Sequence, residues 1–110
     1  MKFTTDWFTQ NIQNFELCTK TAPDNKMYLE IGCFEGRSSC WLLQNGLAED
    51  GEFTCIDPFF GSPEHGGIDF VSVRERFLAN TQEAKRGEQI VDLHEATSFT
   101  ALSWLIQDTV

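Results

Sequence analysis

The order of the apolar segments constrains what this chain can fold into more than any single residue does. Residues 27–32 read M-Y-L-E-I-G: short, mostly apolar and ended by glycine, the pattern of a buried strand. Residues 53–57 (F-T-C-I-D), stopped by Pro58, and residues 90–94 (I-V-D-L-H) repeat that pattern. Each is followed by a stretch of helical period. One helix is expected from about Arg37, carrying Trp41, Leu42 and Leu43, and ending at Asn45-Gly46, where glycine would supply a left-handed cap. Phe70, Val73 and Phe77 recur at i, i+3 and i+7 and predict another, closed by a turn at Ala84-Lys85-Arg86-Gly87. Thr97 or Ser98 would cap a last helix with Phe99, Leu102, Leu105 and Ile106 on one face. A leading helix over about 5–19, capped by Asp6 and striped by Phe8, Ile12 and Phe15, with Trp7 and Cys18 near it, ends at Pro23-Asp24-Asn25. Strands that alternate with helices pair in parallel, because a parallel neighbour needs a crossover to return the chain. The expectation is an α/β fold in one domain over residues 1–110: a leading helix, then three strand-helix units.

The composition supports a packed core and narrows the partners. Of the 110 residues 41% are hydrophobic, with ten Phe and three Trp, so disorder over most of the length is excluded. The net charge of -9 repels phosphate backbones and anionic lipid, so neither nucleic acid nor membrane is an expected partner; a small cationic ligand is still admitted. No apolar run is long enough to span a bilayer, and residues 1–6 lack the basic-then-apolar layout of a secretory signal. A soluble cytoplasmic protein is expected. Cys18, Cys33, Cys40 and Cys55 form no C-x-x-C pair and read as buried reduced thiols, and His65 and His94 have no ligand-like spacing, so no metal site is expected.

Three segments could carry chemistry. In residues 30–38, E-I-G-C-F-E-G-R-S, a strand passes through glycines into a helix. Gly32 lets the chain turn sharply beneath a ligand, Gly36 lets the helix start close against it, and N–H groups at the helix start, with the Ser38 hydroxyl, can receive a carboxylate. A dinucleotide fingerprint is excluded because Phe34 stands where backbone must touch a pyrophosphate, and a phosphate loop because no Gly-Lys-Ser/Thr closes the turn. Asp57, at the carboxyl end of the second strand, lies beside the glycine turn in an open parallel sheet and can accept both hydroxyls of a ribose. Residues 94–98, H-E-A-T-S, end the third strand and either border a bound base or simply cap the next helix. Glu64 and His65, in the loop after Asp57, are candidates for a base or for ordinary solvated loop residues.

Together, Y-L-E-I-G-C-F-E-G-R-S, T-C-I-D-P-F and G-S-P-E-H, behind the Asp6-Trp7-Phe8 helix, resemble a class I S-adenosylmethionine (SAM)-dependent methyltransferase of the small family related to catechol O-methyltransferase. The resemblance implies a Rossmann-like three-layer sandwich, here truncated to about three parallel strands in order 3-2-1 with flanking helices, where the family has seven strands. It implies SAM as cofactor and methyl transfer to a small-molecule acceptor. Carried over, Glu30, Gly32, Phe34 and Gly36 would line the methionine and nucleoside side of SAM, and Ser38 would meet the methionyl carboxylate. Asp57 would hold the ribose hydroxyls, and Ala96, Thr97 and Ser98 would border the adenine, with Phe59 either on the adenine face or in the core. The family's acidic motif near the methyl group lies beyond these residues, so the catalytic residues stay unassigned. A non-catalytic nucleoside-binding or assembly module that needs a partner chain is the other expectation. With order 3-2-1 the apolar first strand becomes an edge, a pairing hazard that a homodimer would cover.

Overall fold

The computed structural model of the chain describes residues 1–21, 25–60 and 67–108. The break expected at Pro23-Asp24, the G-S-P-E-H segment, and with it Glu64 and His65, lie outside the described residues. A 3-10 turn, Thr9–Asn11, leads into α1 (Ile12–Thr21); then come β1 (Met27–Ile31), α2 (Arg37–Asn45), β2 (Glu52–Ile56), α3 (Phe70–Ala84), β3 (Ile90–His94) and α4 (Ser98–Asp108). All the strand pairs are parallel, in the order β1-β2-β3. The fold is thus an open α/β sheet flanked by four helices, a truncated Rossmann-like arrangement.

The register puts Tyr28 beside Phe53 and Phe53 beside Val91, then Glu30 beside Cys55 and Cys55 beside Leu93, so these side chains share one face. That face carries the core. Phe53 and Cys55 are buried with Leu42 and Leu43 of α2 and Val73 and Phe77 of α3. Full burial of each large apolar side chain in this set stabilises the fold by about 1.5–3 kcal/mol. The other face is much more open: Met27, Leu29, Ile31 and Ile90 are all exposed, Met27 by 73%, while Ile56 is buried. Backbone carbonyls at the end of α2 are capped from afar. Gln89 Nε2 donates to Leu43, Leu47 and Ala48, and Arg86 donates to Leu43 and Leu47.

Five local expectations are corrected. The leading helix begins later than residue 5, because Thr4 and Thr5 give their N–H groups to Glu35 instead. Asp6 lies ahead of the cap position, which Phe8 fills without a side-chain bond; the Thr9 hydroxyl and the N–H groups of Thr9 and Phe8 hold the Asp6 carboxyl down to about 2. Gly46 is not left-handed: its φ is -120°. Glycine is needed there for space, since a Cβ would stand 2.9 Å from Thr19 and 3.1 Å from the Tyr28 ring. In α4, Ala101 is buried and Leu102 and Leu105 are half-buried, whereas Phe99 and Ile106 face solvent, so the buried stripe is rotated from the one expected. Cys18 is exposed; the other three cysteines are buried. Among the described residues, no helix is long and apolar enough to cross a membrane.

Candidate functional site

The site grows from the end of β1. Gly32 donates its N–H to Ile56 O at 2.8 Å, which ties the turn to β2, and it adopts φ +81°. A Cβ added there would meet nothing within 4 Å, so open space lies above it. Phe34 follows at φ +51°, a left-handed conformation that costs a non-glycine residue about 1–2 kcal/mol. The Phe34 N–H donates to Asp57 Oδ2 at 3.0 Å, and the N–H of Phe59, at φ +53°, donates to Asp57 Oδ1 at 2.8 Å. One carboxylate thus steadies both left-handed non-glycine residues. The Asp57 N–H in turn donates to His94 O at 3.1 Å, so the ends of all three strands are joined. The glycine turn and Asp57 are thus in direct contact. A carboxylate offers about four acceptor positions, so Asp57 keeps capacity for further donors.

Beside the turn is a pocket of about 240 Å³, bounded by Gly32, Phe34, Arg37 and Ser38 on one side and by Trp7 and Phe8 of the leading segment on the other. The Trp7 and Phe34 rings lie 4.6 Å apart, and Arg37 donates through Nε to Thr5 O at 3.1 Å. Ser38 sits at the pocket, but its hydroxyl donates to Glu30 Oε2 at 2.5 Å, and Ser39 donates to Glu30 as well. Burial pushes the Glu30 carboxyl up, the two serines offset part of that, and Asp57 adds to it. Glu30 therefore anchors the start of α2 from beneath. The N–H groups of Arg37, Ser38 and Ser39 precede the first intrahelical bond, Cys40 N–H to Gly36 O at 2.7 Å, and so have no acceptor within α2.

The remaining expected residues divide. Gly36, at φ +84°, faces away from the pocket toward Phe77 and Thr81 of α3. Phe59 is buried in the core, its ring 5.7 Å from that of Phe77. Ala96, Thr97 and Ser98 follow β3 at the same end of the sheet, but they do not line the aromatic pocket; the Thr97 hydroxyl bonds that of Thr100 at 3.1 Å, at the start of α4. Sequence reasoning missed Trp7, Arg37 and Glu35. The Glu35 carboxylate is buried, and its partners Thr4 and Arg76 are remote in the chain. Burial opposes its charge, but Thr4's hydroxyl and N–H and the Arg76 guanidinium outweigh that and hold it below the usual carboxylate range.

Among the described residues, Glu30, Cys33 and Cys55 bring three potential ligand atoms within 4.8 Å of one another. Their chemistry is that of a hydrogen-bonded interior: the neighbouring Cys55 thiol and burial push Cys33 far above its usual range, and the Glu30 oxygens accept from serines.

No curated protein matches the chain. A family profile described as a methyltransferase domain matches residues 29–110, from within β1 through the glycine turn, Asp57 and α4. The match is to the methyltransferase domain at large and does not single out the catechol-type branch. With the parallel sheet, the glycine turn and its partner aspartate already in place, the chain belongs to the methyltransferase-domain family, as a class I SAM-dependent methyltransferase-like domain.

Proposed function

We propose that the chain binds SAM at the carboxyl ends of β1 and β2 and presents it to a small-molecule acceptor for methyl transfer. The observation that carries this reading is the Phe34 N–H bond to Asp57, which sets the glycine turn and the carboxylate side by side. The residues fit the cofactor. Open space above Gly32 admits it closely, Asp57 has acceptor capacity for ribose hydroxyls, and the first N–H groups of α2 receive the methionyl carboxylate. Ser38, its hydroxyl donating to Glu30, helps by placing that helix start rather than by donating to the ligand. Ala96, Thr97 and Ser98 are proposed to border the adenine, and Glu30, Phe34 and Gly36 to shape the turn. When bound, SAM supplies a methyl on a sulfonium, open to displacement by a nucleophilic acceptor atom. The protein's own part is to orient and enclose the reactants. The three buried free thiols agree with a reducing compartment, and the cytoplasm is proposed.

Calorimetric titration with SAM and with its demethylated product, S-adenosylhomocysteine, should show saturable binding below millimolar ligand. No heat at millimolar concentration would end the cofactor reading. Binding with turnover in an acceptor screen selects the enzyme, and binding without turnover selects the non-catalytic module.

Self-association is the other part of the proposal. Met27, Leu29 and Ile31 are exposed on β1, which pairs with β2 along one edge and has no strand on the other among the described residues. A second copy laid against β1 would cover apolar surface and an open ladder together. Sedimentation should give a dimer at tens of micromolar; a monomer at high concentration would remove the idea.

A further inference from the structure

Arg76 lies on α3 and forms no part of the aromatic pocket's wall, yet the contacts run from it to that wall. Its Nε donates to Glu35 Oε2 at 2.6 Å. Glu35 is 1% exposed. The same carboxylate accepts the Thr4 N–H at 2.9 Å and the Thr4 hydroxyl at 2.6 Å, and more weakly the Thr5 N–H at 3.4 Å. Thr5 and, two residues on, Trp7 are pocket wall. Neighbouring bonds lay residues 1–6 down as a strap. Asn80 bonds Lys2 in both directions, at 2.7 and 2.8 Å, and also donates to Glu35 O at 3.0 Å. The Arg37 guanidinium sits 4.6 Å over the Phe3 ring.

We propose that Arg76 is a positioning residue for the pocket. Acting through Glu35, it clasps Thr4 and Thr5 and so sets Trp7 against Phe34, closing the aromatic wall beside the methionyl end of the ligand. The ligand's identity rests on the cofactor reading above; the clasp does not. A carboxylate this buried needs charged or hydrogen-bonding partners to stay ionised, and Arg76 is its cation. Without Arg76, the strap N–H groups lose the charge that makes their bonds strong. Trp7 itself is more than half exposed, so its place depends on the strap and on Phe34 more than on the core. The Arg76 side chain keeps 27% of its surface exposed, and methionine in its place retains most of the apolar stem. The strap precedes residue 29, where the family match begins, while its anchors Glu35, Arg76 and Asn80 lie within the match.

The test compares the wild-type chain with Arg76→Met, Arg76→Lys and Trp7→Ala by amide hydrogen exchange without ligand and by titration with S-adenosylhomocysteine. Arg76→Met should speed exchange across residues 4–11 at least tenfold while the β2 amides stay protected, and weaken affinity about five- to twentyfold. Arg76→Lys should restore most of both. Trp7→Ala should lose similar affinity with residues 4 and 5 still protected. Unchanged exchange in Arg76→Met, or a loosened strap with wild-type affinity, would overturn the proposal. So would β2 amides that exchange as fast as the strap, since Arg76 would then serve only global stability. A wild-type chain that fails to bind S-adenosylhomocysteine would sink the cofactor reading alone, because the ligand-free exchange comparison still decides whether Arg76 holds the strap.

Discussion

Gly36→Ala should lower the unfolding free energy by roughly 2–4 kcal/mol, the sum of left-handed backbone strain and overpacking. The backbone there holds φ +84°, and a Cβ would stand 3.0 Å from Cδ2 of Phe77 and 3.5 Å from Cγ2 of Thr81. Phe77 is fully buried between α3 and the sheet and has no free direction in which to yield. Gly32→Ala is the control. Its φ of +81° imposes similar strain, but nothing lies within 4 Å of the new methyl. Gly32→Ala should therefore cost about 1–2 kcal/mol of stability, and the methyl would project into the space assigned to the ligand. Urea unfolding with an unchanged slope measures both. Equal losses in the two variants would mean that the helix-helix contact at Phe77 does not set the need for glycine.

Asp57→Ala should weaken SAM binding by roughly 1.5–3 kcal/mol, the range for losing hydrogen bonds to a charged group. That is about tenfold to a hundredfold in the dissociation constant. Two losses contribute. The ribose hydroxyls lose their acceptor, and the N–H groups of Phe34 and Phe59 lose the oxygens that steady their left-handed conformations. Asp57→Asn separates them. Its amide oxygen can still accept from one of the two loop N–H groups, so stability should recover in part while affinity does not. Calorimetry on both variants is the check, and wild-type affinity in Asp57→Ala would place the ribose elsewhere.

What could be read in advance was what the chain encodes locally. Runs such as I-V-D-L-H, and the spacing of Phe70, Val73 and Phe77, mark strands and helices within a residue or so of where they lie. The nearness of Gly32 and Asp57 was legible too, because parallel order alone brings two consecutive strand ends together. The rest depended on partners that sequence does not announce. Glycine at 46 could have served backbone conformation or space, and only Thr19 and Tyr28 decide between them. Ser38 could have faced a ligand, but its hydroxyl donates to Glu30, eight residues earlier. Glu35 resembled any loop acid until Arg76, 41 residues on, was found against it. The α4 stripe was misplaced because a helix with apolar residues all round does not declare which side is covered.

The strap carries a consequence for how the chain is made. Lys2 meets Asn80 across 78 residues, and the amino terminus meets Glu83 across 82. The strap over residues 2–5 therefore has no seat until translation has passed α3 and that helix has cleared the exit tunnel.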